Sequence, residues 1–383
     1  DLTKIVLSNV GLARNEPDYR KVYDHCAKLF GLLWDTRNKL VVRNSANIVE
    51  EGAAIYVANH IKKSDALTVV YAIYMNAKGR QLHIMRRDDF FDDRSWSRTP
   101  FLDLDKLAMS LGAIQVSRES GGYSQMKRFI RLLREGGCFI IFPTGTRSRS
   151  GHVMGLPPPR ELGKASFFAV MAQREQFSDK KTSPVQPVAM VPTGISFDPI
   201  SEKTTLVFGK PAYLTPDPPD KKVDRAVLSE FDRQLIRSAS RLVEVNLAHL
   251  GALYLLHYAW HSGDLRNHNE HGICLKRSDF TNDLTEIVRN IKEKGGLFLA
   301  PSLNSELDLE LRRVEKLFAR QSMLRTVGEE LLLYRERILS APPVDHDYKK
   351  RNPVKYLANQ VAHLEEVVSA VETRVLRTVR THH

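Results

Sequence analysis

Residues 53–76 read Ala53-Ala-Ile-Tyr-Val-Ala-Asn-His60-Ile-Lys-Lys-Ser-Asp65-Ala-Leu-Thr-Val-Val-Tyr-Ala-Ile-Tyr-Met-Asn76, and their texture changes twice. Ala53–Ala58 is unbroken and apolar, with β-branched and aromatic members, as a strand buried on both faces requires. Asn59 to Ser64 is polar and reads as a loop. Asp65 then places an acid at the start of a run that continues to Ala77, the pattern of a helix entered at its N-terminus. Strand, loop and helix in that order form the unit of an α/β sheet.

Working outward, the same alternation recurs. Strands are expected at Leu82–Met85, Ala113–Val116, Cys138–Phe142, Pro187–Val191 and Thr205–Phe208, with helices at Ser124–Arg134 and Leu162–Gln173. The fold class is therefore α/β, a mixed sheet flanked by helices. Upstream, Pro17 and Asp18 open a predicted helix to Trp34. Downstream, Thr215-Pro-Asp-Pro-Pro-Asp220 reads as a linker, and beyond it the chain is expected to be helical nearly throughout. Val354, Leu357, Val361, Leu364, Val368, Val371 and Val375 recur at steps of three and four, which predicts one long helix introduced by Pro353. Three units follow: a helical segment over 1–39, an α/β domain over 40–215 and a mostly helical domain over 216–383.

Composition narrows the partners. Lys+Arg number 57 against 45 for Asp+Glu, a net +12 that favours anionic ligands or an acidic membrane surface. No nucleic-acid-binding motif is present, so nucleic acid is not expected among the partners. The longest apolar runs, Leu67–Met75 and Leu247–Trp260, fall short of the roughly 18–20 residues that span a bilayer. Membrane contact is then expected to be peripheral. Cys26, Cys138 and Cys274 lie far apart without a CxxC pair, which suggests reduced thiols and a cytoplasmic setting.

Four segments could carry chemistry. His60 and Asp65 are five apart, about 140° away from each other on a continuous helix. They can meet only if His60 lies in the loop and Asp65 in the first helical turn. A carboxylate behind an imidazole fixes its tautomer and stabilises the imidazolium formed when it takes a proton from a hydroxyl. The same two residues also fit a surface histidine beside a helix-capping aspartate. Second, Phe139-Ile-Ile-Phe142 precedes Pro143-Thr-Gly-Thr-Arg147-Ser-Arg149-Ser-Gly151, a small-residue turn whose arginines could fork onto phosphate oxygens. Third, Gly112-Ala-Ile-Gln-Val-Ser-Arg118 delivers an arginine past a strand end, where α/β sheets gather ligands. Fourth, Val185 to Ile195 is an apolar strand with prolines. His257 and His261, with His268, His271 and Cys274 following, have a spacing that could hold zinc. They lack a paired-thiolate motif and read as packing and surface histidines, so no metal is expected.

Asn59-His60 through Asp65, Gly112 through Arg118, Phe142 through Gly151 and Val188 through Pro192 resemble the four ordered blocks of the glycerolipid acyltransferases. Phe208-Gly209-Lys210-Pro211 is similar to the turn that often follows the fourth block. The resemblance covers roughly residues 40–215. It implies acyl transfer from acyl-CoA or acyl carrier protein to a hydroxyl of a glycerol phosphate, without a cofactor. His60 would be the general base and Asp65 its orienting partner. Arg118, Arg147 and Arg149 would hold the acceptor phosphate, and Gly145 would let the backbone approach it. Thr144 stands where most of the family carries glutamate. A neutral residue there resembles the plastid branch of soluble glycerol-3-phosphate acyltransferases, which have serine. The helical extension beyond residue 215 resembles the larger first-step enzymes more than the compact lysophosphatidate acyltransferases, so glycerol 3-phosphate is the expected acceptor.

Overall fold

The run Ala54–Ala58 is buried at every position, which a strand achieves only between other strands with cover on both faces. The computed structural model places it there. It describes residues 21, 23–25, 27–28, 40–62, 64–87, 112–116, 123–145, 147–153, 164–178, 185–215, 222–262, 272–304, 307–343 and 347–381. In chain order the strands of the main sheet are β1 (Leu40–Arg43), β2 (Ala54–Ala58), β3 (Leu82–Arg87), β4 (Ala113–Val116), β5 (Cys138–Ile141), β6 (Ala189–Asp198), β7 (Lys203–Phe208) and β8 (Ala212–Tyr213). Their order across the sheet is β1-β7-β6-β2-β5-β3-β4, with β8 also paired to β6. From β6 to β4 all neighbours are parallel. The β7 and β8 strands run antiparallel to β6, and β1 runs parallel to β7. The sheet is mixed, as the sequence predicts.

Among the described residues, the sheet is covered by α1 (Asp65–Asn76), α2 (Tyr123–Arg134), α3 (Lys164–Ser178) and α4 (Arg225–Arg241), with Tyr23 and Ala27 packed on the α1 side. Alternation along β2 divides the core. Ala54, Tyr56 and Ala58 face Val69 and Ile73 of α1, with Ile140, Val191 and Phe208. Ile55 and Val57 face the opposite layer, with Phe129 and Leu133 of α2, Phe168 of α3 and Leu235 of α4. Each buried Val, Leu, Ile or Phe side chain among these stabilises the fold by roughly 1.5–3 kcal/mol. Parallel pairing puts the carboxyl ends of β2, β3, β4 and β5 on one edge, and so fixes the site's location.

The predicted strand at Pro187–Val191 continues as β6 to Asp198, and the short edge strand β1 escaped the pattern. Of the predicted helix from Pro17 to Trp34, the described residues between 21 and 28 are helical. Tyr23 is buried there, and its hydroxyl accepts from Leu82 N at 3.0 Å.

The remaining elements are α5 (Leu247–His261), β9 (Ile273–Lys276), α6 (Arg277–Lys294), α7 (Leu307–Arg320), β10 (Leu324–Val327), β11 (Glu330–Leu333), α8 (Arg335–Leu339), α9 (Tyr348–Arg351), α10 (Pro353–Asn359) and α11 (Glu365–Thr381). The α5 helix is apolar nearly all round, and α7, α8, α10 and α11 pack about it. Two expectations are corrected here. The region is not helical nearly throughout, because β10-β11-β9 form an antiparallel sheet. Its strands are four residues long; β9 alternates buried with exposed and β10 buries only Leu324, too brief a pattern to stand out from helical spacing. Gly328 at φ +59° opens the two-residue turn between β10 and β11. Nor is the last apolar series one long helix. Between α10 and α11 the amides of Gln360, Val361 and Leu364 bond three residues back, not four. That tightening turns the chain while keeping steps of three and four, so Val361 and Leu364 stay buried as the series predicts.

Candidate active site

At the end of β2 the chain is pinned before it turns. The Asn59 side chain accepts from Ile195 N at 2.7 Å and donates to Ile195 O at 2.8 Å on β6. The next residue, His60, therefore starts from a fixed point. Asp65 N donates back to Lys62 O at 3.2 Å, closing the loop so that Asp65 enters the first turn of α1. His60 and Asp65 then meet as expected, with His60 Nδ1 3.0 Å from Asp65 Oδ2. A carboxylate oxygen only accepts, so Nδ1 carries a proton, and in the neutral tautomer that this selects, the lone pair lies on Nε2. The same Oδ2 takes Ile61 N at 2.6 Å and Lys62 N at 2.7 Å. Asp65 thus shapes the loop as well as facing the imidazole. Its negative charge also lies at the positive N-terminal end of α1.

The loop after β5 comes to the same place because β5 is the parallel neighbour of β2. Phe142 stacks on the His60 ring at 4.4 Å between centroids, with planes 23° apart. Gly145 N donates to Phe142 O at 2.8 Å, making a turn whose last residue has φ +65°, suited to glycine. Thr144 lies half-buried in this turn. Ser148 N donates to His60 O at 2.8 Å, tying the two loops together. Among the backbone donors, those of Ile61, Lys62, Gly145 and Ser148 are engaged, so a developing oxyanion needs others.

Of the expected phosphate ligands, Arg147 and Arg149 flank Ser148 and so lie beside the His60 loop. Gly145 sits at the turn, exposed. Arg118 lies outside the described residues, two positions past β4. Arg147 is already ion-paired, its guanidinium 3.5 Å from Asp347 Oδ2. That partner comes from the C-terminal region, which grips this loop repeatedly. Tyr348 N donates to Arg149 O at 3.0 Å and Asn359 Nδ2 to Ser150 O at 2.8 Å. Tyr356 Oη donates to Ile61 O at 3.2 Å, one residue from the histidine. Gly151, at φ +92°, lies so close to α10 that a Cβ would fall 2.1 Å from Tyr356 O. Sequence reasoning missed Asp347, Tyr348, Tyr356 and Asn359, which carry no local motif.

Lys62 lines a cavity together with Ile61, Phe197, Lys349, Tyr356 and Leu357. Its Nζ lies 2.9 Å from the Phe197 ring centroid, and Lys349 Nζ lies 5.3 Å from the same ring. Burial, then the neighbouring Lys349 ammonium, push the Lys62 amine down to about 7.

Residues 39–191 match the sequence model of the family described as Acyltransferase. A 1-acyl-sn-glycerol-3-phosphate acyltransferase of Bacillus subtilis (strain 168) is 27% identical over 154 residues, 40% of this chain and 71% of that protein. A protein of the same description from Borreliella burgdorferi is 31% identical over 121 residues, 31% of this chain and 43% of that one. Among solved structures, a 1-acyl-sn-glycerophosphate (LPA) acyltransferase from Thermotoga maritima is similar over 62% of this chain and 88% of its own, with TM-score 0.37 and 20% identity.

Proposed function

We propose that the chain, whose residues 39–191 match the Acyltransferase family model, moves a fatty acyl group from a CoA or acyl-carrier-protein thioester to a hydroxyl of glycerol 3-phosphate. The observation that carries this reading is the 3.0 Å contact of His60 Nδ1 with Asp65, which leaves Nε2 as the base. The acceptor hydroxyl gives its proton to Nε2 as its oxygen attacks the thioester carbonyl. The oxyanion collapses, the C–S bond breaks, and the imidazolium returns the proton to the departing thiolate. Asp65 stabilises the imidazolium between these steps. Arg147 and Arg149, with Arg118, hold the acceptor phosphate, and Gly145 lets the backbone approach it. The phosphate displaces the Asp347 carboxylate from Arg147. No cofactor enters this scheme.

The preference for glycerol 3-phosphate over a lipid acceptor rests on the braced loop. Residues 347–359 close over residues 147–151, which suits a small water-soluble ligand. A second reading, with 1-acylglycerol 3-phosphate as acceptor, is favoured by the description of the two bacterial relatives. Among the described residues no helix is long and apolar enough to cross a membrane. Attachment to an anionic lipid surface would draw on the net charge of +12. Labelled glycerol 3-phosphate and 1-acylglycerol 3-phosphate, each offered with acyl-CoA and acyl carrier protein, test the proposal. Faster incorporation into the former supports it; incorporation into the latter alone selects the second reading, and none from folded protein refutes both.

A further inference from the structure

His257 and His261 are four apart on α5, so their side chains stand one above the other on the same face. Their rings are 6.1 Å apart between centroids, with planes 29° apart. Opposite them, on α11, lies Glu372, whose Oε1 is 4.0 Å from His261 Nε2. One ligand atom from each of the three lies within 4.8 Å of the other two, and all three side chains are half-buried. The two helices are held in place by a third, α6. Tyr254 of α5 donates to Asp283 Oδ2 at 2.8 Å, Thr378 of α11 bonds the same oxygen, and Arg374 of α11 lies 2.6 Å from Glu286. The sequence-level grouping was different. Cys274 is exposed on β9, away from this trio, and His268 and His271 lie outside the described residues. The third group comes instead from the last helix.

Two imidazoles and one carboxylate form a mixed nitrogen–oxygen set that suits zinc, whereas calcium and magnesium prefer oxygens alone. A metal takes each imidazole through the lone pair of its neutral form. Tetrahedral zinc with bonds of about 2.0–2.2 Å sets its ligands roughly 3.3 Å apart. Closing from the observed separations takes movements of about 1 Å, within reach of side-chain rotation on fixed helices. We propose that His257, His261 and Glu372 form a zinc-class divalent metal site that joins α5 to α11 and leaves a fourth position to water. None of the three belongs to the proposed acyl-transfer site.

The test uses the full chain, stripped with a chelator and titrated with Zn²⁺ against a chromophoric zinc indicator. One equivalent should bind at low micromolar concentration or tighter. Affinity should fall about 10-fold or more in His261→Ala and in the conservative Glu372→Gln. It should survive a His382→Ala/His383→Ala variant, which controls for the terminal histidines. Co²⁺ should give the visible d–d bands of four-coordinate geometry in the parent and lose them in Glu372→Gln. Absence of stoichiometric binding overturns the proposal, as does binding unchanged by His261→Ala and Glu372→Gln.

Discussion

Replacing Asp65 by asparagine separates its two duties, because asparagine keeps the shape and removes the charge. In the parent, Oδ2 accepts from His60 Nδ1, Ile61 N and Lys62 N, while Oδ1 is buried without a hydrogen-bond partner among the described residues. An asparagine carbonyl at the Oδ2 position preserves the loop but turns two charge-assisted backbone bonds into neutral ones. That loses about 1 kcal/mol each. Its amide group then lies where Oδ1 was buried, and an unsatisfied donor there adds about 1–3 kcal/mol. The expected destabilisation is about 3–5 kcal/mol, a large part of typical stability, so activity must be read on protein shown to be folded. Loss of the charge behind the imidazole should lower turnover by about 10²- to 10⁴-fold. His60→Ala should do the opposite: little loss of stability, since His60 is partly exposed and gives up chiefly its stacking on Phe142, but turnover at background.

Thiol release from an acyl thioester, with and without acceptor, measures turnover, and urea unfolding measures stability. If the two residues act as one unit, Asp65→Asn should cause no further loss in the His60→Ala background. Folded Asp65→Asn retaining turnover within threefold of the parent would refute the reasoning. So would losses that multiply in the double variant.

Three further outcomes are expected. Tyr356→Phe removes the 3.2 Å bond to Ile61 O and should destabilise by about 1–2 kcal/mol, lowering kcat about 3- to 10-fold with acceptor KM nearly unchanged, as steady-state kinetics would show. Gly151→Ala must displace either its loop or α10, so circular-dichroism melting should show a lower midpoint and turnover should fall with it. Lys62 has its amine lowered to about 7 by burial and Lys349, with Asp65 and Glu202 opposing. Below that pH both folded and unfolded chains carry the proton, and the folded one bears the full cost of a buried charge. Above it the unfolded chain binds more protons, so stability attributable to this group rises with pH. Lys62→Met should therefore stabilise more at pH 6 than at pH 9 in urea unfolding; a gap that widens with pH would contradict the assignment.

The parts legible in the sequence are those encoded over short distances. His60 and Asp65 are joined by one turn, and their five-residue spacing already demanded a loop and a helix start. The central strands declared themselves as apolar runs, and their shared direction placed the loops after β2 and β5 side by side. What stayed hidden had no local period. Four-residue strands such as β9 carry too few alternations to be told from helix. The i→i−3 turn after Asn359 kept the apolar spacing and so imitated one helix. Asn59 reads as a loop polar residue, yet its two bonds to Ile195 fix where the histidine stands. Glu372 beside His257 and His261 depends on how α11 crosses α5, which no spacing records.

The same limit explains why the C-terminal region looked like an appendage. Its hold on the site is made by backbone groups and by a missing side chain. Ile61 O, Arg149 O and Ser150 O are satisfied by Tyr356, Tyr348 and Asn359. Gly151 lacks the atom that would strike Tyr356 O. Without residues 347–360 those three carbonyls would turn to water, and the loop bearing Arg147 and Arg149 would lose its fixed relation to His60. Orientation errors of about 1 Å can lower a rate about 10²-fold. A chain ended at residue 244, which keeps α4 on the sheet, should therefore retain the sheet and the His60–Asp65 contact yet lose most turnover, because the catalytic pair and the phosphate loop are aligned from outside the α/β unit.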